Sequence, residues 1–174
     1  MELSKKELTI KYTFYCLIIA AAALLQNVGG LWFELGGARC FFLIPTVVLL
    51  SLGEDEKNAA FLGLFAGFLW DAVSVSHMGF SFILLALLCY ISASLVNFVL
   101  RNTYWVAAVS AAVCTLIYCV LHWLIIVMMR GGEGAAMSLV YFYLPSFLYI
   151  SAIGLVLAMA LSPIKKKLNK GFVE

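Results

Sequence analysis

The chain has 174 residues, of which 65% are hydrophobic and only 11% are charged. Average proteins are about 45–50% apolar and about 25% charged, so this composition excludes a water-soluble domain. The formal net charge is only +2, so the placement of the charges is more informative than their sum. We predict an all-α polytopic membrane protein that forms one integral membrane domain over residues 1–174.

Six long uncharged stretches predict a bundle of six transmembrane helices. Four of the stretches reach the roughly 20 apolar residues that a membrane-spanning helix needs. The other two are short and lie on either side of the charged run at residues 54–57. A charge at the bilayer centre costs roughly 2.5–3.5 kcal/mol, which favours two short helices joined by a charged turn. A re-entrant segment at residues 40–53 is the alternative. The predicted helices cover about residues 12–28, 41–52, 58–72, 79–100, 104–129 and 138–162, and a basic tail follows at 163–174.

The basic residues predict how this bundle is oriented. With six spans and an inner N-terminus, Arg39 and Arg130 are the only basic residues on the outer side, against nine on the inner side. Cytoplasmic segments carry an excess of Lys and Arg, so we expect both termini in the cytoplasm. Anionic lipids are the expected partners of the basic termini, and nucleic acid is not an expected partner.

Two prolines and a cluster of acidic residues provide more local signals. Pro45 lies inside the second predicted helix, where the missing N–H predicts a kink. Pro163 is predicted to end the sixth helix before the basic tail. Glu54, Asp55 and Glu56 lack the alternation of a calcium-binding loop, so we interpret them as a solvated cytoplasmic turn rather than a cation site.

Asp71 is the most informative residue because it continues a spacing of four along the third helix. Ala59, Gly63, Gly67 and Asp71 share one helix face. Small residues at this spacing let helices pack closely, and a carboxylate on the same face is expected to point into the bundle or towards a partner. The alternative is that Asp71 ends the helix at the outer interface and is solvated there.

His122 lies in the fifth predicted helix at a depth similar to that of Asp71. We therefore consider an Asp71–His122 hydrogen bond, with a bond from His122 to a nearby backbone carbonyl as the alternative. The sequence contains no HExxH or GxSxG motif, and its five cysteines have no CxxC spacing. We expect no catalytic residue, no metal and no cofactor.

Residues 62–90 resemble the family of the rod shape-determining protein MreD. The resemblance rests on a Gly-xxx-Gly-xxx-Asp helix, a glycine eight residues later, and an aromatic residue near the middle of the next helix. The matching positions are Gly63, Gly67, Asp71, Gly79 and Tyr90, together with Pro45 in the preceding helix. The length, the six predicted spans and the basic tail agree as well, whereas the acidic turn is not expected from the family.

The resemblance implies a non-enzymatic scaffold of the bacterial cell-elongation machinery, located in the cytoplasmic (inner) membrane. Such a protein would bind the bitopic protein MreC and, with the actin-like MreB, guide the peptidoglycan synthases of the lateral wall. Gly63, Gly67, Asp71 and Gly79 would then shape the third helix and the following turn for partner contact.

A substrate-binding subunit of an energy-coupling-factor vitamin transporter is the alternative function. Such subunits also have six helices, and the alanines at residues 20–23 could provide the small-residue strip that docks the transporter. This function requires several polar groups around an outer pocket. The available candidates are Asn27, Glu34, Arg39, Asp71, His77 and His122. Because they are few, the sequence favours the scaffold.

Overall fold

The structure, a computed structural model, describes residues 5–27, 41–73, 79–98, 103–128, 137 and 143–169. These ranges contain six α-helices and no strand, which agrees with the predicted all-α class. A six-residue π-helical segment, Trp123–Met128, extends the fifth helix. The helices are α1 (Lys5–Asn27), α2 (Leu43–Ser51), α3 (Glu56–Val73), α4 (Phe80–Phe98), α5 (Tyr104–His122) and α6 (Leu144–Asn169).

Four of the described helical segments are long and apolar enough to cross a membrane. They are Lys5–Asn27, Phe80–Phe98, Tyr104–Ile125 and Leu144–Lys165, with 19 to 23 residues each. At about 1.5 Å per residue they are roughly 28–35 Å long, which matches a hydrocarbon core about 30 Å thick. The chain therefore has the character of a multi-pass membrane protein. The count of six spans and the cytoplasmic termini stay predictions.

Helix α2 is a short core helix. It has nine residues, so its length of roughly 13 Å is less than half of the hydrocarbon thickness. All nine residues are buried, and the helix contacts each of the other five helices. The helix predicted at residues 41–52 is thus shorter than expected. The longer helices pack around it.

Polar contacts show that several helix ends lie together at one end of the bundle. Glu54, which follows α2, contacts Lys11 near the start of α1 and Asn97 at the end of α4. Leu52, also after α2, accepts a hydrogen bond from Lys165 near the end of α6. We call this the Glu54 end. The opposite end, where α3 ends and α4 begins, is the Asp71 end.

Helix α6 continues past Pro163 to Asn169, so the prediction that Pro163 ends the helix was wrong. Proline removes one backbone hydrogen bond, but contacts beyond it hold the final turns in place. The Nζ of Lys165 donates to the carbonyl oxygens of Leu49 at 3.1 Å and Leu50 at 2.9 Å, and Leu168 is buried. The predicted start of this helix at residue 138 and the tail beyond residue 169 lie outside the described residues.

Pro45 lies in the first turn of α2, because the helix begins at Leu43. The first N–H groups of any helix lack partners within it, so proline removes no hydrogen bond at this position. The carbonyl of Phe42 accepts bonds from the backbone N of Thr46 at 3.2 Å and from its Oγ1 at 2.7 Å. Pro45 therefore lies in the first turn of α2, where it does not interrupt the hydrogen bonds of the helix.

Both ends of α2 are capped by side chains from other helices. At the N-terminus, Oε1 of Gln26 from α1 accepts a bond from the backbone N of Leu43 at 3.1 Å. At the C-terminus, Lys165 from α6 binds the carbonyls of Leu49, Leu50 and Leu52. A positive charge at a helix C-terminus also interacts favourably with the helix dipole. Contacts from distant parts of the chain thus stabilise this short helix.

Replacement of Lys165 by Met should lower stability, because the carbonyls at the end of α2 lose their donor while the apolar stem is retained. Buried unsatisfied acceptors cost about 1–3 kcal/mol, and we expect a loss in this range. Thermal unfolding of the purified protein in detergent measures it. Lys167→Met is the matched control, since Lys167 is exposed. Equal melting temperatures for the two variants would contradict the capping role.

Candidate partner-contact site

The small-residue strip predicted on α3 faces the interior of the bundle. Ala59, Gly63, Gly67 and Asp71 are all buried. A Cβ atom added to Gly63 would lie 2.5 Å from the carbonyl oxygen of Leu85, and one added to Gly67 would lie 2.4 Å from the Cα of Phe82. Such distances are too short for any side chain. The strip therefore brings the backbones of α3 and α4 into direct contact.

Asp71 caps the N-terminus of α4. Its Oδ2 accepts hydrogen bonds from the backbone N of Gly79 at 2.9 Å and of Phe82 at 3.0 Å. The first N–H groups of a helix have no partner within it, and a negative charge there interacts favourably with the helix dipole. N-caps usually come from the residue directly before the helix, whereas this one comes from the preceding helix. Asp71 thereby fixes where α4 begins relative to α3.

Gly79 supplies the backbone conformation of the turn before α4. Its φ of 98° lies in the left-handed region, which residues other than glycine rarely adopt. An added Cβ would meet nothing within 4 Å, so the requirement for glycine is conformational and not steric. The positions Gly63, Gly67, Asp71 and Gly79 therefore act together as one joint between α3 and α4.

One carboxylate oxygen of Asp71 takes no part in this cap. Asp71 is only 6% exposed, and within the described part of the chain its Oδ1 is buried without a hydrogen-bond partner. The residue lines a cavity of about 220 Å³ together with Phe68, Ala72, Gly79 and Phe82. This burial argues against the alternative in which water solvates Asp71 at the end of the helix.

In the structure, His122 contacts Tyr143 and Tyr118 rather than Asp71. The Nδ1 of His122 lies 2.7 Å from the hydroxyl of Tyr143, and its ring stacks on Tyr118 with centroids 5.9 Å apart. The Tyr118 hydroxyl is 2.9 Å from the Oγ of Ser81. The carboxylate of Asp71 binds backbone amides instead, so the geometry does not bring Asp71 and His122 into a hydrogen bond.

A second polar cluster, at the Glu54 end, was not recognised in the sequence. The Nζ of Lys11 lies 2.7 Å from Oε2 of Glu54, and the two side chains are only 7% and 4% exposed. The hydroxyls of Tyr12 and Tyr15 donate to the same carboxylate at 3.3 and 3.2 Å. Glu54 is thus buried and ion-paired, and the interpretation of its turn as solvated was wrong for this residue. Asp55 is exposed, as that interpretation expects.

Two asparagines extend the Glu54 cluster to further helices. The Nδ2 of Asn97 in α4 donates to the backbone carbonyl of Glu54 at 2.9 Å and to Oε1 of Glu56 at 3.0 Å. The Nδ2 of Asn58 in α3 donates to the Tyr12 hydroxyl at 2.7 Å. One turn of the chain therefore ties together α1, α3 and α4. A sequence signal was available, since Lys11 and Tyr15 share a helix face.

The structure describes only some of the remaining polar candidates. In the part of the chain that the structure describes, no group of three or more His, Cys, Asp or Glu residues could hold a metal ion. The Nδ2 of Asn27 donates to the carbonyl of Ala23 in its own helix at 2.8 Å. Glu34, Arg39 and His77 lie outside the described residues. A larger cavity of about 450 Å³ is lined by Tyr104, Trp105, Leu155, Ala158, Met159 and Pro163.

Alanine at Gly63 or Gly67 should destabilise the protein, because the added methyl group would overlap the backbone of α4. Overpacking costs typically 1–3 kcal/mol, and a contact with backbone atoms places these variants at the upper end. Gly154→Ala is the matched control, since its Cβ would lie 3.9 Å from the nearest atom, a carbon of Pro45. Thermal unfolding in detergent compares them. Equal stability of the three variants would contradict the close helix contact.

Removing the charge of Glu54 should also destabilise the protein, because Lys11 would stay buried without a counter-ion. Breaking one partner of a buried pair costs about 3–5 kcal/mol. We expect Glu54→Gln to show a loss of this size, and the double variant Glu54→Gln with Lys11→Met to recover part of it. Additive losses in the double-mutant cycle would show that the two charges do not interact.

Comparison of the sequence with known proteins identifies a family. The model of the family described as rod shape-determining protein MreD matches residues 8–170. No curated protein and no solved structure matches the chain. The matched range includes the α3–α4 joint and the Glu54 cluster, and it covers nearly the whole sequence. The chain therefore belongs to the family of the rod shape-determining protein MreD.

Proposed function

We propose that this protein is a non-enzymatic scaffold of the bacterial cell-elongation machinery that binds MreC within the cytoplasmic membrane. The observation that carries the proposal is the family match over residues 8–170, which assigns a role in determining rod shape. MreB and the synthases of the lateral-wall peptidoglycan would belong to the same assembly. The contact with MreC and the organisation of wall synthesis are the specific part of the proposal.

The use of the buried polar groups supports a scaffold. Lys165 and Asp71 bind backbone atoms at helix ends, and Glu54 binds Lys11. Each contact positions helices relative to one another. A vitamin-binding subunit would instead need polar groups around a pocket of roughly 300–1,000 Å³. The cavity at the Asp71 end measures about 220 Å³ and has one charged residue in its lining. The cavity of about 450 Å³ beside Tyr104 and Trp105 reaches that size, but its lining contains no charged residue.

The outer face of the α3–α4 pair is the surface that we propose for partner contact. Its exposed side chains are large and apolar, as expected for contact with lipid or with another helix. They include Phe61, Phe68, Ile83, Leu87 and Phe98. Because the glycine contacts hold the two helices together, this face is a rigid surface. Ala59, Gly63 and Gly67 would act indirectly by maintaining it, whereas Asp71 and Gly79 lie beside the cavity that opens on it.

The exposed lysines support cytoplasmic termini in this proposal. Lys5, Lys6, Lys57 and Lys167 are exposed, and all belong to segments at the Glu54 end. An excess of basic residues marks the cytoplasmic side of a membrane protein. These lysines would also attract the anionic headgroups of the inner leaflet. The Asp71 end would then lie towards the outer surface.

Depletion of the protein from rod-shaped cells tests the proposal. We expect the cells to become round, because lateral-wall synthesis loses its scaffold, and re-expression should restore the rods. A pull-down from native membranes, examined for both proteins and small molecules, should recover a bitopic membrane protein. Unchanged cell shape together with a retained vitamin-like molecule would overturn the scaffold and favour the transport subunit.

A further inference from the structure

The Asp71 carboxylate has one oxygen that is hydrogen-bonded and one that has no hydrogen-bond partner among the described residues. Oδ2 accepts the two amide bonds that cap α4, whereas Oδ1 is buried and has no hydrogen-bond partner among the described residues. A buried acceptor without a donor is unfavourable, and a charged one is more so. The cap satisfies Oδ2. Oδ1 requires a hydrogen-bond donor from outside the described residues.

The cavity that Asp71 lines indicates the size and chemistry of that donor. Its volume of about 220 Å³ is below the roughly 300–1,000 Å³ of sites for drug-sized ligands, so it is suited to a single side chain. Phe68, Ala72 and Phe82 form apolar walls, and Gly79 already donates its N–H to Oδ2. The walls therefore supply no donor for Oδ1.

The surroundings of the cavity match a membrane-spanning helix better than a soluble ligand. Phe68 is 60% exposed and Phe82 is 37% exposed, so exposed apolar side chains of α3 and α4 line the cavity. Helices associate in membranes through side-chain packing and hydrogen bonds between polar residues. A buried carboxylate within such an apolar face pairs with a group carried by a neighbouring helix.

We propose that a single membrane-spanning helix of a partner protein lies along this face and inserts one hydrogen-bond donor side chain into the cavity. The donor, an indole or cationic group that has no acceptor atom of its own, binds Oδ1 of Asp71 while Oδ2 continues to cap α4. This inference rests on the proposed scaffold function and specifies the chemistry of its membrane contact. The same carboxylate then fixes the α3–α4 joint and recognises the partner.

Replacement of Asp71 by Asn separates the two roles. Asparagine is as good a helix cap as aspartate, so its carbonyl oxygen can accept the bonds from Gly79 and Phe82. Its NH₂ group then occupies the position of Oδ1 and presents a donor where the partner needs an acceptor. Asp55→Asn is the matched control, because it makes the same chemical change at an exposed position of the Glu54 end.

Photo-crosslinking in native membranes tests the inference with the full-length protein. A photoreactive residue at position 68 should crosslink to a single-span membrane protein. The same residue at position 116 on α5, where Leu116 is 44% exposed, should not. We expect Asp71→Asn to reduce the crosslink roughly tenfold and Asp55→Asn to leave it unchanged. Both variants should unfold at the wild-type temperature.

A second variant keeps the test decisive if Asp71→Asn is unstable. Ala72 is exposed and lines the cavity, so Ala72→Leu fills the cavity without altering the cap. It should remove the crosslink to the same degree. An undiminished crosslink in either stable variant overturns the inference. Crosslinks only to lipid, to a second copy of this chain or to a multi-span protein overturn it as well.

The outcomes distinguish this inference from the proposed function. If depleted cells become round while the crosslink yield is unchanged in Asp71→Asn and Ala72→Leu, the scaffold function stands and the donor contact is refuted. If depleted cells stay rod-shaped while the crosslink depends on both residues, the donor contact stands and the role in cell shape fails.

Discussion

The buried ion pair between Lys11 and Glu54 is the constraint on which the arrangement of the helices depends. Two charges that are almost fully buried must stay paired, because either one alone would lose its hydration without compensation. Tyr12 and Tyr15 complete the coordination of the carboxylate, and Asn97 binds the backbone at Glu54. The turn between α2 and α3 is thereby held at one place against α1 and α4. Beside the same turn, Lys165 of α6 donates a hydrogen bond to the carbonyl of Leu52.

A second constraint is that a helix ending inside a membrane protein must have its free backbone groups satisfied without bulk water. Here the solution is long-range capping. Gln26 caps the N-terminus of α2, Lys165 caps its C-terminus, and Asp71 caps the N-terminus of α4. These contacts explain how a nine-residue helix can occupy the centre of the bundle, where every one of its residues is buried.

The sequence predicted those features that depend on local periodicity. The buried strip through Gly63 and Gly67 follows from spacing along one helix, whereas the all-α class follows from the long uncharged stretches. The structure shows both. Local periodicity could not predict contacts between distant segments. Lys11 and Glu54 are 43 residues apart, and Lys165 and Leu49 are 116 residues apart. The Asp71–His122 hypothesis rested on matched depth. Depth gives only one coordinate, and the direction in which each side chain leaves its helix decides the partner.

The internal use of the glycine strip changes how variants on α3 should be interpreted. Because Gly63 and Gly67 contact α4 within the chain, a larger residue there disturbs the joint first and any partner only as a consequence. A lost interaction in such variants therefore does not locate the interface. Asp71 is different, since its two carboxylate oxygens have separate environments. A rigid joint with one unsatisfied acceptor is preorganised for binding, because little conformational freedom is left to lose.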